Sequence, residues 1–516
     1  MRLFTTTAGI HCYLEKYRGK KVGLVPTMGA LHPGHLSLIQ QARRENDLVV
    51  VSIYVNPLQF GPTEDFQQYP RQLEQDQQQC QQAGVDVIFA PTVAAMGAEN
   101  SSISAAVTQV VPPTLMISGL CGRSRIGHFQ GVATIVTKLL NLIQPQRAYF
   151  GQKDAQQLAV IQRLVTDLNI PVEIVSCPIV REPSGLALSS RNQYLTDTQR
   201  EQAAVLYRAL QQAEKLFQAG ERSCSRLSAA MKTELASIKS AELEYIEWVH
   251  PTTLVPLDTV ETIALVAIAA RLGSTRLIDN MLLRNRQPIV AIDGPAGAGK
   301  STVTRQIAQA LGLLYLDTGA MYRAVTWLVL QSGIPVDDEP AIAELVSQCQ
   351  IRLEPHQNSQ VQVWINQQEV TQAIRSLEVT SQVSAIAAQS AVRQALVKQQ
   401  QQWGETGGVV AEGRDIGTHV FPDAELKIFL TASVEERSRR RQQDLKNQGQ
   451  PEVSLEQLKQ TIQERDAKDS NRSLAPLQKA ADAIEIQTDG MSIEEVTQQI
   501  ISLYDQKLSA ATLKEG

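Results

Sequence analysis

Gly294-Pro-Ala-Gly-Ala-Gly299-Lys300-Ser301 spells GxxxxGK[ST] near the middle of a 516-residue chain. The apolar run 288–293 (Pro-Ile-Val-Ala-Ile-Asp) precedes it and a helical pattern follows. Strand, glycine-rich turn and helix therefore come in the order a phosphate-binding loop requires. In such a loop, backbone N–H groups face phosphate oxygens and the positive end of the helix adds to the attraction. Lys300 would reach the β- and γ-phosphates and Ser301 would hold Mg²⁺, with Gly294, Gly297, Gly299 and Thr302 completing an ATP cradle. At ordinary glycine usage the bare pattern arises by chance in about one chain in fifty of this length; the flanking strand and helix make it far more specific. A phosphate-binding loop normally opens its own domain, so the residues before it form something else.

Working outward, the length predicts about two to four domains. Hydrophobic residues make up 43%, charged residues 20%, and the net charge is −5, which argues against an extended nucleic-acid surface and leaves room only for local basic sites. No stretch approaches the ~18 consecutive apolar residues of a membrane span. Met1-Arg-Leu-Phe-Thr-Thr-Thr lacks the apolar core of a secretory signal. The six cysteines (Cys12, Cys80, Cys121, Cys177, Cys224, Cys349) are scattered without a CxxC pair, as expected of reduced thiols in a cytoplasmic protein. Neither nucleic acid nor membrane is expected as a partner.

Between 21 and 178, β-rich runs at 22–26, 48–55, 85–90, 148–150 and 172–175 alternate with helical spacing at 36–44 and 132–142. The alternation predicts a Rossmann-like α/β unit, a parallel sheet covered by helices. The glutamine-rich stretch 67–82 reads as a solvated helix closed by Ala83-Gly84. Residues 179–280 read as a smaller α+β subdomain, with a helix over 198–219 and strands at 245–249 and 264–272. A short, basic, polar junction at 281–287 predicts two closely joined lobes, 1–280 and 281–516. The second lobe resumes α/β alternation with strands at 288–293, 407–411 and 426–431, and period-two spacing over 351–370 marks a hairpin about His356-Gln-Asn-Ser.

In the first lobe, Pro26-Thr-Met-Gly-Ala-Leu-His32-Pro-Gly-His35 leaves a strand and enters a helix. His32 and His35 are three apart and share one helix face. Protonated imidazoles and free backbone amides at a helix N-terminus together predict a polyphosphate site. Imidazole also titrates near neutrality, which suits proton donation to a departing phosphate. Zinc is the alternative for such a pair, but no cysteine or third histidine stands at supporting spacing.

Four further words accompany that segment: Val55-Asn-Pro-Leu-Gln59-Phe-Gly, Gly127-His-Phe-Gln-Gly-Val132, Phe150-Gly-Gln-Lys153-Asp154-Ala-Gln-Gln157 and Leu188-Ser-Ser-Arg191-Asn192. Together they resemble the HxGH nucleotidyltransferases related to class I tRNA synthetases and, among them, pantothenate synthetase. The likeness runs from about residue 1 to Leu272-Gly-Ser-Thr-Arg-Leu-Ile-Asp-Asn280. It implies a two-step ligation: pantoate carboxylate attacks the α-phosphate of ATP, and β-alanine then displaces AMP from the acyl adenylate. It implies that His32 and His35 contact ATP phosphates, with His35 the proton donor, while Lys153, Ser189, Ser190 and Arg191 steady the developing charge. Met28, Gly29, Gly151, Gln152, Asp154, Val180 and Leu188 would complete the ATP site, and Gln59 and Gln157 would hold pantoate. A homodimer through this lobe is part of the same expectation.

Beyond Ser301 come Leu316-Asp317-Thr-Gly-Ala-Met-Tyr322-Arg323, Ala411-Glu412-Gly-Arg414-Asp415-Ile-Gly-Thr418, the Arg437–Arg441 cluster and Glu464-Arg465-Asp466-Ala-Lys468-Asp469-Ser-Asn-Arg472. Arginines far apart in sequence but beside glycines and acids suit a converging phosphate site. The 437–441 cluster reads as a lid, with Arg439 on ATP. A guanine-reading Asn-Lys-x-Asp is absent, which argues against a regulatory GTPase. Residues 288–508 resemble bacterial cytidylate kinase, a P-loop nucleoside-monophosphate kinase. That likeness implies that Arg323, Arg414 and Arg472 bind the CMP phosphate, that Ser384, Arg393 and Asp415 read cytosine, and that Arg465 and Asp469 meet the sugar, with Asp317 and Tyr322 nearby. Glu412 stands where many relatives carry Asp. The expected substrates are ATP, pantoate, β-alanine and CMP or dCMP, with Mg²⁺ and no prosthetic group; a UMP-preferring kinase or a silent nucleotide-binding lobe are the competing readings.

Overall fold

The computed structural model describes residues 1–61, 64, 66–97, 108–355, 361–447, 453–471 and 475–513. The first sheet is parallel throughout: β1 (Arg2–Phe4), β2 (Val22–Thr27), β3 (Leu48–Ile53), β4 (Val87–Phe89), β5 (Arg147–Gly151) and β6 (Glu173–Cys177), in the order β1-β4-β3-β2-β5-β6. Helices cover both faces. Leu24 and Val50 pack with helix His128–Ile143, while Val25, Val49 and Val51 pack with helix Pro33–Glu45. Strands buried on both faces carry continuous apolar runs, which is why 48–51 was legible as a strand despite lacking alternation. β1 was not read from the sequence; three residues are too few to show a period.

From β2 the chain builds outward to β3 and β4 on one side, then crosses to β5 and β6 on the other. Ligands of open α/β sheets bind beyond the carboxyl ends of the strands at such a reversal. The turn 28–32 leaves β2 and the turn Gln152–Asp154 leaves β5, two strands paired through Gly23↔Arg147 and Leu24↔Ala148.

The α+β subdomain is an antiparallel meander of β7 (Ala241–Val249), β8 (Ile263–Leu272) and β9 (Thr275–Arg284), with helices Val205–Gln218 and Cys224–Leu235 sharing its core. The helix expected over 198–219 is two, Asp197–Ala203 and Val205–Gln218. β9 runs into the expected junction as far as Arg284, because Leu283 is buried against those helices. The chain divides into compact units Met1–Asn285 and Arg286–Gly516, a little beyond the expected boundary. Asn285 Nδ2 still donates to Glu261 O (2.7 Å), whereas Arg286 pairs with Asp423 (2.9 Å) and Glu425 (3.1 Å) of the second unit.

In that unit, β10 (Ile289–Asp293), β11 (Leu314–Asp317), β15 (Val409–Gly413), β16 (Leu426–Thr431) and β17 (Ile484–Gln487) form a parallel sheet in the order β11-β15-β10-β16-β17. The strands β12 (Ile351–Pro355), β13 (Val361–Ile365) and β14 (Gln368–Glu369) form a separate antiparallel sheet. Its first pair runs from Ile351↔Ile365 to Pro355↔Val361, and the expected turn at 356–359 lies outside the described residues. β10 is central, so the phosphate loop emerges between the ends of β15 and β16. The fold is α/β in both units.

Candidate active sites

His32 is the N-cap of helix Pro33–Glu45, and its imidazole does the capping: Gly34 N donates to Nδ1 at 3.1 Å. A neutral ring that accepts at Nδ1 carries its proton on Nε2, so the tautomer follows from the cap. The amides of His35 and Leu36 donate to His32 O (2.8 and 3.1 Å), and Pro33 has none. The first turn is therefore closed, where the sequence reading expects free amides. The His32 and His35 ring centroids lie 4.0 Å apart, and His35 Nδ1 is enclosed without a hydrogen-bond partner among the described residues.

Burial, reinforced by Lys153, pushes the His32 imidazole down to about 4; burial, reinforced by His32 and Lys153, pushes His35 down to about 3. Both shifts favour the neutral rings, where the sequence reading expects protonated imidazoles. Lys153 Nζ stands 3.4 Å from Asp154 Oδ2. Desolvation works to raise the Asp154 carboxyl, but Lys153, Arg191 and His128 hold it below the usual aspartate value.

Two partners of this cleft went unassigned in the sequence. Asn280 Nδ2 donates to the carbonyls of Gln152 (3.0 Å) and Lys153 (2.8 Å), pinning the turn after β5. Its neighbour Asp279 takes a two-pronged pair from Arg181 (2.6 and 3.0 Å). Leu188 N donates to Val180 O at 3.0 Å, which sets Val180 and Leu188 side by side. A side chain at Gly34 would meet the Leu188 side chain at 3.6 Å, so this segment lies over the histidine turn. Ser189 Oγ accepts from Arg191 N (3.3 Å), and Ser190 Oγ lies 3.2 Å from Tyr69 Oη.

Gln59 is buried, with Nε2 2.9 Å from Met28 Sδ. Its carbonyl receives His128 Nδ1 at 2.7 Å, while Arg125 Nη1 sits 3.1 Å from His128 Nε2 and Arg125 chelates Glu64 (2.7 and 2.6 Å). Because Arg125 can only donate, His128 accepts at Nε2 and donates from Nδ1. Burial, with Arg125 beside it, pushes that imidazole down to about 4. His128 was quoted within a sequence word but given no role; a buried Gly-His-Phe was its only signal. Gln157 is half-buried near the start of helix Ala155–Asp167.

In the second unit, Gly294 takes φ 146°, and a Cβ there would lie 2.1 Å from Leu430 O, so only glycine fits between the loop and β16. Lys300 Nζ donates to the carbonyls of Gly294 (2.7 Å) and Pro295 (2.8 Å). Burial, then Arg414, lowers the Lys300 ammonium well below the ordinary lysine value; Glu412 and Asp293 oppose them. Ser301 and Thr302 are exposed in the first turn of helix Lys300–Leu311, and Gly297 and Gly299 have φ 80° and 86°.

Asp293 was not singled out, although an acid closing the strand before the glycines is a legible signal. Ile416 N (2.8 Å) and Gly417 N (2.7 Å) donate to its carboxylate, tying the β10 end to the Arg414-Asp415 turn. Burial pushes this carboxyl up to about 6. Glu412 Oε1 accepts from Tyr315 Oη at 2.6 Å; burial, then Asp317, raises this carboxyl above the usual glutamate value, while Tyr315, Lys300 and Ser301 oppose them.

Asp317 caps helix Thr318–Gln331 through Ala320 N (2.8 Å) and pairs with Arg323 (3.2 Å). Arg393 and Asp415 form a buried pair, with the Arg393 guanidinium 5.7 Å from the Tyr322 ring centroid. Ser384 is exposed on the neighbouring helix Leu377–Ala388. Arg414 pairs with Asp469 at 2.8 Å. Burial, then Arg414, lowers the Arg465 guanidinium below the ordinary arginine value, with Arg441 adding to them and Asp469 and Asp466 opposing. Arg439 is exposed and paired with Glu436 (2.9 Å) rather than placed on the loop. Arg437 is the arginine that braces the loop, donating to Ala296 O at 3.2 Å and pairing with Asp466 at 2.7 Å. Arg472 lies outside the described residues.

Paired imidazoles over one sheet reversal and a phosphate loop beside arginines over another define a nucleotide-using enzyme with two units, one of nucleotidyltransferase type and one a P-loop kinase. The pantoate-beta-alanine ligase family model matches residues 2–282, and the cytidylate kinase family model matches residues 290–506. Two proteins called bifunctional pantoate ligase/cytidylate kinase, from Trichormus variabilis and Nostoc, are each 66% identical over 99% of this chain and all of their own length. A crystal structure of pantothenate synthetase from Thermus thermophilus is 47% identical, with a TM-score of 0.52, over 55% of this chain and 99% of its own. The chain belongs to the family of bifunctional pantoate ligase/cytidylate kinases.

Proposed function

We propose that each cleft performs one of this family's two reactions, with the residues above in definite roles. The chain is an ATP-dependent pantoate–β-alanine ligase and a cytidylate kinase. In the first cleft, pantoate held by Gln59 and Gln157 attacks the ATP α-phosphate, pyrophosphate departs, and β-alanine takes the acyl group from AMP. His32 offers a neutral Nε2–H, while Lys153 and Arg191 offset the phosphate charge. In the second, the CMP phosphate attacks the ATP γ-phosphate in line while Lys300, Arg323 and Arg414 offset charge and Arg393 and Asp415 meet the base. The observation that carries the reading is the placement of both residue sets at the carboxyl ends of adjoining strands, His32 with Lys153 and Lys300 with Arg414.

Mg²⁺ fits the second cleft. Ser301 offers an exposed hydroxyl, and Glu412 an enclosed carboxylate beside it. A magnesium ion is commonly bound by so few protein oxygens together with substrate phosphates, whose charge it neutralises. We further propose that the protein is cytoplasmic and dimerises through its first unit. No helix among the described residues is long and apolar enough to cross a membrane. AMP release that requires pantoate and β-alanine, and ADP release that requires CMP, are the expected assays of purified protein. Faster phosphorylation of UMP than of CMP or dCMP would replace the base-reading assignment.

The depressed imidazoles make a pH prediction. A bound polyanion favours the charged ring, and His35, whose Nδ1 caps nothing, can take the proton, so its pKa rises from about 3 back toward the ordinary 6.5. At a pH between the free and bound values, ATP binding takes up protons. Calorimetry at about pH 6 in buffers of different ionisation enthalpy should show this uptake, and His35→Gln should reduce it. Equal uptake by both proteins would exclude His35 as its source.

A further inference from the structure

We propose that Asp76 is the positioning residue of the ligase ATP loop, its buried carboxylate holding residues 29–31 in the shape that nucleotide binding requires. The proposal rests on reading 28–35 as the ATP-contacting segment. Asp76 lies in the glutamine-rich stretch that the sequence presents as a solvated helix. Helix Leu73–Gln82 does expose most of its residues, yet Asp76 is only 1% exposed.

Asp76 Oδ2 accepts from Ala30 N at 3.0 Å and Oδ1 from Leu31 N at 2.8 Å. Gly29 and Ala30 have φ 82° and 50°, two successive left-handed residues. The second is a non-glycine residue in a conformation that L side chains disfavour, so the turn needs an external hold. A Cβ at Gly29 would lie 2.8 Å from Asp76 Oδ2, so the carboxylate is seated directly against the turn.

The turn does more than join β2 to a helix. At one end Met28 touches Gln59 (2.9 Å), and at the other His32 caps the helix with the tautomer that leaves Nε2–H free. An acceptor on both carboxylate oxygens is what two adjacent loop amides require. Asparagine would present one acceptor and turn its own N–H toward the second amide, so the conservative amide is not a neutral replacement.

The test uses the intact chain, whose CMP kinase activity reports the amount of sound protein in every preparation. With Asp76→Asn, the ligase KM for ATP should rise about tenfold, the cost of one lost hydrogen bond to a charged group. Asp76→Ala should raise it further. The KM for β-alanine, which enters after adenylation, and the kinase rate should stay within about twofold of the parent. Active ligase sites are counted by single-turnover pyrophosphate release, which separates altered enzyme from lost enzyme. A parental KM for ATP in the remaining active sites of both variants would overturn the proposal and leave Asp76 a folding residue. His35→Ala serves as the control for the underlying reading: if it spares the ligase, the ATP-site assignment and this proposal fall together. If it abolishes the ligase while Asp76→Ala keeps the parental KM, only the role of Asp76 falls.

Discussion

Replacing His35 with alanine is expected to slow pantoyl-adenylate formation by about 10²–10⁴-fold, the range for removing a positioned proton carrier. CMP phosphorylation by the same polypeptide should hardly change. The large effect follows from the ring's setting. Its Nδ1 is enclosed without a partner among the described residues, and His32 lies 4.0 Å away. An unpartnered buried nitrogen is costly unless a ligand supplies the missing partner. Burial and its neighbours push the ring down to about 3, so a proton for transfer would have to be acquired when the polyanion binds. His35→Asn separates two modes of action, because an amide can hydrogen-bond but cannot carry a proton. Recovery by asparagine to within about tenfold of the parent would assign His35 the role of neutral donor; continued loss would assign it proton transfer. Pyrophosphate release at saturating pantoate is the measurement, and a ligase rate in alanine within about tenfold of the parent would contradict both.

Lys300→Ala should lower the kinase turnover by about 10²–10³-fold, the usual loss on removing one preorganised group from a transferring phosphoryl, and should spare the ligase. The ammonium is held by the Gly294 and Pro295 carbonyls at 2.7 and 2.8 Å, inside the loop that would receive phosphate. A cation so buried, with Arg414 adding to its discomfort, gains more from a phosphate than an exposed lysine could. CMP binding should persist in this variant, since Arg323 and Arg414 approach from β11 and β15 rather than from the loop. Equilibrium CMP binding and steady-state ADP release therefore give opposite results for one substitution. Loss of both chain activities from either the His35 or the Lys300 change would refute independent sites.

Much of each cleft was legible because its chemistry is written locally. The phosphate loop needs consecutive residues, and His32 and His35 share a turn, so a short window contains the signal. The state of those groups was not legible. Nothing in Pro26-Thr-Met-Gly-Ala-Leu-His32 says that its first helical amides are closed or that its imidazoles are neutral, because both depend on burial and on groups from distant strands. The arginine cluster shows the same limit: the sequence marks residues 437–441 together, and only packing shows that Arg437 braces the loop.

The sequence by itself determined the two units, their α/β class and the kinds of group that handle phosphate, since hydrophobic period and short motifs are properties of neighbouring residues. Only the tertiary structure decided that Asn280 pins the Lys153 turn, that Asp293 ties the phosphate loop to Arg414-Asp415, and that one aspartate in a glutamine-rich helix is buried under the histidine turn. Each of those links joins residues more than forty positions apart. Their partners are chosen by strand order and burial, which no local pattern records.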